Sequence, residues 1–260
     1  MARPDPATQE VRRIALKSVG STNDEAMALA LSGAAMPVWV TAERQERGRG
    51  RLGSTWVSED GNLYASHAFV GHYPPSAFMQ LPIVAALAAR DAVAAVLPEK
   101  LLPKLRIKWP NDVLIDGHKV AGILAESRGT GDGRSAIVIG FGFNAAHHPA
   151  ETRHPASDLK AFGVTVSADD LFEALARSLA DALAAWKEGA GFPGLCARWN
   201  EHAERVNDTI TVRLPRETRV GRFLGLDPSG QLRLLRHGRE ELISAGDVFF
   251  SSETGMAPHG

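Results

Sequence analysis

An arginine- and glycine-rich segment, residues 43–56, contains the side chains best suited to binding an anion. Its arginines carry a permanent charge on a planar fork that matches phosphate or carboxylate, and they are Arg44, Arg47, Arg49 and Arg51. Glycines at positions 48, 50 and 53 let the backbone adopt positive φ angles and approach a ligand closely. The preceding apolar run, residues 36–41, is typical of a buried strand. We therefore expect a loop at a sheet edge that closes over an anion and is mobile until one arrives; a solvated basic loop is the alternative.

A second group of polar residues lies in two neighbouring segments, Lys-Trp-Pro-Asn-Asp at 108–112 and Lys-Val-Ala-Gly-Ile-Leu at 119–124. Pro110 favours an extended turn after a short strand. The pair Asp116-Gly117 between two apolar runs predicts a β-hairpin. A lysine at the start of a strand is usually solvated, so Lys119 does not specify a site by itself.

Three short polar residues, Ser21, Thr22 and Asn23, precede a predicted helix at residues 24–31. Their side chains can cap that helix by accepting from its first free N–H groups. They can also face a small polar ligand in a dry pocket. Both interpretations stay open, and both can hold together.

Composition excludes several classes of protein. The 260 residues are 44% apolar and 23% charged, which is ordinary globular usage, and the net charge of −1 argues against a general nucleic-acid binder. The single cysteine, Cys196, fits a reducing cytoplasm. Residues 1–10 are polar and lack the apolar stretch of a signal peptide. The apolar run 83–97 is too short and too charged to span a membrane.

Hydrophobic periodicity predicts alternating strands and helices up to about residue 205. Predicted strands are 11–19, 36–41, 54–57, 63–70, 106–109, 112–116, 119–127 and 135–144; predicted helices are 24–31, 82–97, 168–188 and 192–201. From residue 209 the pattern changes to short strands spaced like a small barrel. Its arginines between 213 and 239 are expected to form a solvated face. His147, His148 and His154 are also expected in a solvated loop, because Pro149 and Pro155 break any helix that would align them on a metal.

Five segments of the chain resemble the biotin protein ligase family, and they occur in the family's order. They are Ser21-Thr22-Asn23, Gly48-Arg49-Gly50-Arg51 with Gly53 and Trp56, Lys108-Trp109-Pro110-Asn111-Asp112, Lys119-Val120-Ala121-Gly122-Ile123-Leu124, and Gly140-Phe141-Gly142-Phe143-Asn144. The resemblance implies an α/β (α+β) fold with a mixed central sheet and flanking helices, as in class II aminoacyl-tRNA synthetases. It places this catalytic domain at 1–205 and an SH3-like β-barrel at 206–260.

The resemblance also implies an activity. Members join biotin and ATP, with Mg²⁺, into biotinyl-5′-AMP and pass the biotinyl group to a lysine of a biotin carboxyl carrier protein. By resemblance Arg49 and Lys119 are catalytic and bracket the biotin carboxylate and α-phosphate. The other implied site residues bind biotin or the adenylate (Ser21, Thr22, Asn23, Gln45, Gly50 and Arg51) or the nucleotide (Trp56, Asn111 and Asn144). No metal ligand is assigned, and the role of Asp112 stays open.

Three rival functions are weighed against this one. Only about twenty residues precede Ser21, too few for the DNA-binding domain of the family's transcriptional repressors, so no specific DNA binding is expected. Lipoate ligases carry Arg-Arg-Ser-Gly-Gly-Gly where this chain has Gly48-Arg49-Gly50-Arg51. A non-catalytic carrier-binding module would not need Arg49, Arg51 and Lys119 together. We expect a cytoplasmic enzyme without membrane contact, either monomeric or homodimeric.

Overall fold

The computed structural model of the chain describes residues 11–150, 152 and 154–250, so the polar segment 1–10 lies outside the described residues. Within them the chain forms four α-helices and twelve strands. The helices are α1 (Thr22–Leu31), α2 (Pro75–Val96), α3 (Ala168–Trp186) and α4 (Phe192–Glu201). The strands are β1 (Arg12–Val19), β2 (Val38–Gln45), β3 (Leu63–Gly71), β4 (Leu105–Lys108), β5 (Asp112–Ile115), β6 (His118–Gly129), β7 (Ser135–Phe143), β8 (Thr209–Arg213), β9 (Thr218–Leu226), β10 (Leu232–Arg236), β11 (Arg239–Ile243) and β12 (Asp247–Phe250).

The first seven strands form one mixed sheet in the order β1-β2-β3-β7-β6-β5-β4. Strands β1 and β2 are parallel, and the remaining neighbours are antiparallel. The predicted hairpin between β5 and β6 is confirmed, and Asp116 and Gly117 at its tip both have positive φ (53° and 78°). Two consecutive residues of this kind match the right-handed twist of the flanking strands. The expected mixed sheet is thereby confirmed.

Helices cover both faces of this sheet. Helix α1 packs Ala26, Met27 and Ala30 against Val40 and its neighbours on one face. Helices α2, α3 and α4 share one large core with the other face, which includes Trp39. Successive side chains of a strand point to opposite faces, so β2 contributes Val40 to one core and Trp39 to the other. The first turn of α1 then lies over the end of β2 and the middle of β3, where Thr22 meets Gln45 and Ser66.

Helix α2 begins at Pro75, seven residues before the predicted start at Pro82. Pro75 is the first-turn proline, and Pro82 lies inside the helix, where its ring removes one hydrogen bond. The burial of its alanine-rich side compensates for this loss. The extension gives 22 residues, and an 18-residue window within them has a mean hydropathy of 1.5, so by length and composition α2 qualifies as a membrane span. It packs against α3 and the sheet as a core helix.

Two further expectations about local structure are wrong. Residues 54–57 are not a strand; they form one bridge, between Thr55 and Arg49, because the arginine–glycine loop folds back on itself. Helix α3 ends at Trp186 instead of residue 188, because Lys187 and Glu188 adopt left-handed conformations. Its predicted cap is confirmed, since the Ser167 hydroxyl accepts from the Asp170 N–H at 3.0 Å.

The last five strands form a separate antiparallel sheet in the order β11-β10-β9-β8-β12, which fits the expected SH3-like barrel. Strand β12, of four residues, was not predicted from the sequence. The segment before this sheet covers the β4 edge of the first one. The Ile107 N–H donates to the His202 carbonyl, and the Glu204 N–H donates to the Ile107 carbonyl, each at 2.8 Å.

A buried histidine in β3 predicts a loss of stability in acid. Burial lowers the pKa of His67 from 6.5 to about 4, and its ring lies 4.6 Å from that of Trp39. Below pH 6.5 the His67 ring is protonated in the unfolded chain but stays neutral in the folded chain down to about pH 4. The free energy of unfolding should therefore fall by about 3 kcal/mol between pH 6.5 and 4 on account of this group, at about 1.4 kcal/mol per pKa unit.

Urea unfolding at several pH values measures this dependence. The variant His67→Phe keeps an aromatic ring and should flatten the stability profile in this window. The matched control is His72→Gln, which changes an exposed histidine and should leave the profile as it is. Equal profiles for wild type and His67→Phe would contradict the assignment.

Candidate active site

A cavity of about 620 Å³ opens over the centre of the seven-stranded sheet. It lies between the arginine–glycine loop, the start of α1, strands β6 and β7, and the start of β12. All the site residues expected from the sequence line it: Ser21, Thr22, Asn23, Gln45, Arg49, Gly50, Arg51, Trp56, Lys119, Asn111 and Asn144. The structure thus brings together segments more than a hundred residues apart in the chain.

Glycines make room for the side chains above the sheet. Gly122 of β6 and Gly142 of β7 face each other across the two strands, and the Trp56 ring lies over both. A Cβ atom would come within 2.8 Å of this ring at Gly122 and within 2.5 Å at Gly142. At Gly140 a Cβ would lie 2.1 Å from Asn23 Oδ1. Since real Cβ contacts are not this short, any side chain at these three positions displaces Trp56 or Asn23.

The polar residues at the start of α1 bind other side chains instead of capping the helix. Ser21 occupies the cap position but makes no side-chain capping bond. The Thr22 N–H and hydroxyl both donate to Gln45 Oε1, at 2.9 and 3.0 Å. The Asn23 amide donates to Glu126 Oε2 at 2.7 Å. The capping expectation is therefore wrong, because these side chains find partners across the sheet.

Ser66 is a member of this network that sequence reasoning missed. Its hydroxyl is fully buried and lies 2.6 Å from Asn23 Oδ1 and 2.8 Å from Thr22 Oγ1. A serine hydroxyl has one proton, so it cannot donate fully to both oxygens at once. The available signal was a small hydroxyl side chain within the mostly apolar strand β3, which is also common in ordinary cores.

Arg49 is held by two carboxylates. Its terminal nitrogens donate to the two oxygens of Asp24 at 2.6 and 2.7 Å, and Nη2 lies 3.5 Å from Glu126 Oε1. The hydrogen bond from Arg49 lowers the pKa of the Asp24 carboxyl and raises the pKa of the guanidinium. Neither Asp24 nor Glu126 was singled out from the sequence, because acidic residues in these positions are normally solvated.

Lys119 is directed into the cavity, so the solvated-lysine alternative does not hold. Its Nζ lies 2.7 Å from Asp112 Oδ1 and 5.2 Å from the centroid of the Trp56 ring. Asp112, whose role the sequence left open, is thus an ion-pair partner of Lys119. Each of the two expected catalytic cations has a carboxylate partner in this structure.

Arg51 and the two asparagines connect the loop to the rest of the site. Arg51 donates to Asn111 Oδ1 at 3.3 Å and to the Gly246 carbonyl, just before β12, at 3.0 Å. The Asn111 amide donates to the Ile123 carbonyl at 2.7 Å, and the Asn144 amide donates to the Ser157 carbonyl at 3.1 Å. Both amide groups are therefore engaged by the backbone.

His154 lies in the wall of the cavity, so the expectation of a solvated loop is wrong for this histidine. Its Nδ1 is 2.9 Å from Lys108 Nζ, and its Nε2 is 3.7 Å from Asp247 Oδ1. Burial opposes the charge of Asp247, but His154 and the nearby cations bring the pKa of its carboxyl below the ordinary value. His148 pairs separately with Asp158 at 2.6 Å. The described residues contain no cluster of His, Cys, Asp and Glu fit for a metal.

Family models match both parts of the chain. Residues 15–144 match the biotin/lipoate A/B protein ligase family, and residues 207–251 match the biotin protein ligase C-terminal domain. A biotin--[acetyl-CoA-carboxylase] ligase of Paracoccus denitrificans is 39% identical over 90% of this chain and 99% of its own length. The protein of the same name from Mycobacterium tuberculosis is 33% identical over 88% of this chain and 85% of its own.

Solved structures agree with this match. A biotin protein ligase from Aquifex aeolicus, in complex with biotin and ATP, superposes with a TM-score of 0.77 and 25% identity, over 92% of this chain and 97% of that one. The biotin protein ligase of Leishmania major in complex with biotinyl-5-AMP superposes with a TM-score of 0.65 and 26% identity, over 90% of this chain and 99% of that one. Fold and cavity therefore define a ligase catalytic unit with an appended β-domain. The chain belongs to the biotin/lipoate A/B protein ligase family.

The contact at Gly140 predicts that this position does not accept a side chain. The substitution Gly140→Ala should displace the Asn23 amide and cost about 1–3 kcal/mol of unfolding free energy, which is the usual range for overpacking. Gly129→Ala is the matched control in the same β-hairpin, because a Cβ at Gly129 meets no atom within 4 Å. Urea unfolding of both variants measures the difference, and equal losses would contradict the packing described here.

Proposed function

We propose that this chain is a biotin protein ligase, which activates biotin with Mg-ATP and transfers it to a lysine of a biotin carboxyl carrier protein. One observation supports this above the others. Arg49 and Lys119 line one cavity together with the polar residues that the family resemblance assigns to biotin and nucleotide. The near-complete alignment with a relative named biotin--[acetyl-CoA-carboxylase] ligase points to the same activity.

The first step forms biotinyl-5′-AMP. A biotin carboxylate oxygen attacks the α-phosphorus of ATP, a new P–O bond forms, and the bond to pyrophosphate breaks. Negative charge builds up on the α-phosphate oxygens, and fixed cations in a site that excludes water stabilise it. Arg49 offers a fork for two oxygens, and Lys119 offers a compact point charge. We assign these two residues to the carboxylate and the α-phosphate.

The second step transfers the biotinyl group. The neutral amine of the acceptor lysine attacks the carbonyl carbon of the mixed anhydride, an amide bond forms, the C–O bond to AMP breaks with its electrons leaving on AMP, and the nitrogen releases one proton to solvent. The acyl oxygen becomes an oxyanion in the transition state, so the same two cations serve both steps. Closure of the arginine–glycine loop, with Arg51 and Gln45, keeps water away from the anhydride.

The remaining assignments follow the family resemblance. Ser21, Thr22 and Asn23 face the ureido ring of biotin, which needs short donors and acceptors. Trp56 forms an aromatic wall, and its buried Nε1 has no partner among the residues that the structure describes. Asn111 and Asn144 already donate to backbone carbonyls, so we propose that they act on the nucleotide mainly by fixing Arg51 and the strand of Lys119.

We extend the proposal to the partner and the organisation of the chain. The names of the relatives point to the carrier domain of acetyl-CoA carboxylase as the acceptor. The boundary between the catalytic and SH3-like domains is proposed near residue 205, where the mixed sheet gives way to the antiparallel one and the second family match begins. A cytoplasmic location without specific DNA binding completes the proposal.

Lipoate is the second candidate substrate, because the matching family includes lipoate ligases. Purified chain is incubated with Mg-ATP and either biotin or lipoate, and pyrophosphate release and bound adenylate are measured. We expect release with biotin and retention of biotinyl-AMP. Pyrophosphate release with lipoate alone would mean that lipoate, not biotin, is the acid that the chain activates with ATP. No release with either acid would favour a carrier-binding module.

The two cations should be indispensable for adenylate formation. Arg49→Ala and Lys119→Ala should each lose about 2–4 kcal/mol of transition-state stabilisation, or roughly 30- to 1,000-fold in rate. The matched control is Lys104→Ala, because Lys104 is an exposed lysine whose ion pair with Asp116, at 2.8 Å, lies outside the cavity lining. Single-turnover pyrophosphate release measures all three variants. Adenylate formation at the normal rate in Arg49→Ala would refute this role of Arg49.

A further inference from the structure

The contact between Arg49 and Asp24 has the geometry of a bound ligand. Both carboxylate oxygens of Asp24 meet the two terminal nitrogens of Arg49, one oxygen to each, at 2.6 and 2.7 Å. An arginine fork binds a substrate carboxylate or phosphate in the same bidentate manner. Asp24 therefore occupies the edge of the guanidinium that an incoming anion would use.

The two carboxylates that bind Arg49 lie outside the cavity lining, so its guanidinium points to the rim of the cavity. Arg49 lines the cavity, whereas Asp24 and Glu126 are not among the described residues that line it. The side chains of Arg49 and Asp24 are 38% and 46% exposed. Ion pairs as exposed as this one contribute little net free energy, so an anion in the cavity can replace Asp24 at low cost.

Both members of the pair keep a favourable position after such an exchange. Asp24 lies in the first turn of α1, where the helix dipole stabilises a negative charge. Arg49 keeps Glu126, which also accepts from the Asn23 amide at 2.7 Å and so connects the guanidinium to the polar end of the cavity. The structure thus provides two arrangements for Arg49, one with Asp24 and one with a ligand.

We propose that Asp24 is a built-in competitor for the anion that Arg49 binds. Without a bound anion, Asp24 holds the arginine–glycine loop by its ion pair, and the substrate carboxylate or phosphate takes its place when it binds. This inference rests on the proposed function, because it takes Arg49 as a residue that binds the substrate. The opposite role, in which Asp24 supports Arg49 in its productive position, predicts an opposite result.

The variant Asp24→Asn removes the charge and keeps the shape. Without ligand, trypsin should cleave this variant after Arg49 and Arg51 roughly 2- to 5-fold faster than wild type, the factor expected for loss of an exposed ion pair. Biotin should bind the variant tighter by a similar factor in titration calorimetry. Asp24→Ser is a second uncharged variant, and it should show the same faster cleavage and tighter biotin binding as Asp24→Asn. Thermal unfolding tests whether both variants are folded.

The matched control is Asp169→Asn. Asp169 also lies in the first turn of a helix and pairs with an arginine, Arg13, at 2.7 Å, but it lies outside the cavity lining. This variant should change neither cleavage nor affinity.

Each remaining outcome is decisive. Weaker biotin binding by Asp24→Asn would show that Asp24 supports Arg49, and it would overturn the proposal that Asp24 is a competitor. Unchanged biotin affinity would overturn that proposal as well, whether or not the cleavage rate changes. Cleavage reports on the ion pair without any ligand. A wild-type chain that binds no biotin and forms no adenylate would therefore overturn the proposed function, whether or not cleavage responds to the substitution.

Discussion

The absence of side chains at the centre of a buried sheet is the constraint on which the site depends. Strand β7 is buried along nearly its whole length and β6 is buried at residues 120–123, so a cavity over them requires positions without a Cβ. Gly122, Gly140 and Gly142 supply them, so that Trp56 and Asn23 can lie directly on the backbone. Both strands have a hydrogen-bonded neighbour on each side, so the floor of the cavity is formed by the interior of the sheet.

Charge is arranged over this floor in pairs. Arg49 faces Asp24, and Lys119 faces Asp112, so the cavity contains cations without a large uncompensated charge. Desolvating a lone lysine or arginine is expensive, and a carboxylate neighbour lowers that cost.

The C-terminal sheet is part of this arrangement. Arg51 reaches the Gly246 carbonyl, and Asp247 lies with His154 in the wall of the cavity. The short strand β12, with the turn before it, thus brings a second domain to the edge of the site. This contact was invisible in the sequence, because four residues show no periodicity and the partners lie about two hundred positions away.

The sequence by itself predicted most of the elements and the family motifs whose residues line the cavity. Strand alternation, the Asp116-Gly117 turn and the Ser167 cap are local signals, and the ordered motifs identified every expected lining residue. Tertiary structure decided what those residues touch. Asn23 binds Glu126 and Ser66 instead of capping its helix, the half-buried His154 contacts Lys108, and α2 begins at Pro75. Polar groups far apart in sequence compete with local groups for the same hydrogen bonds. Which bond forms depends on which groups the folded chain buries, because a buried polar group without a partner costs free energy.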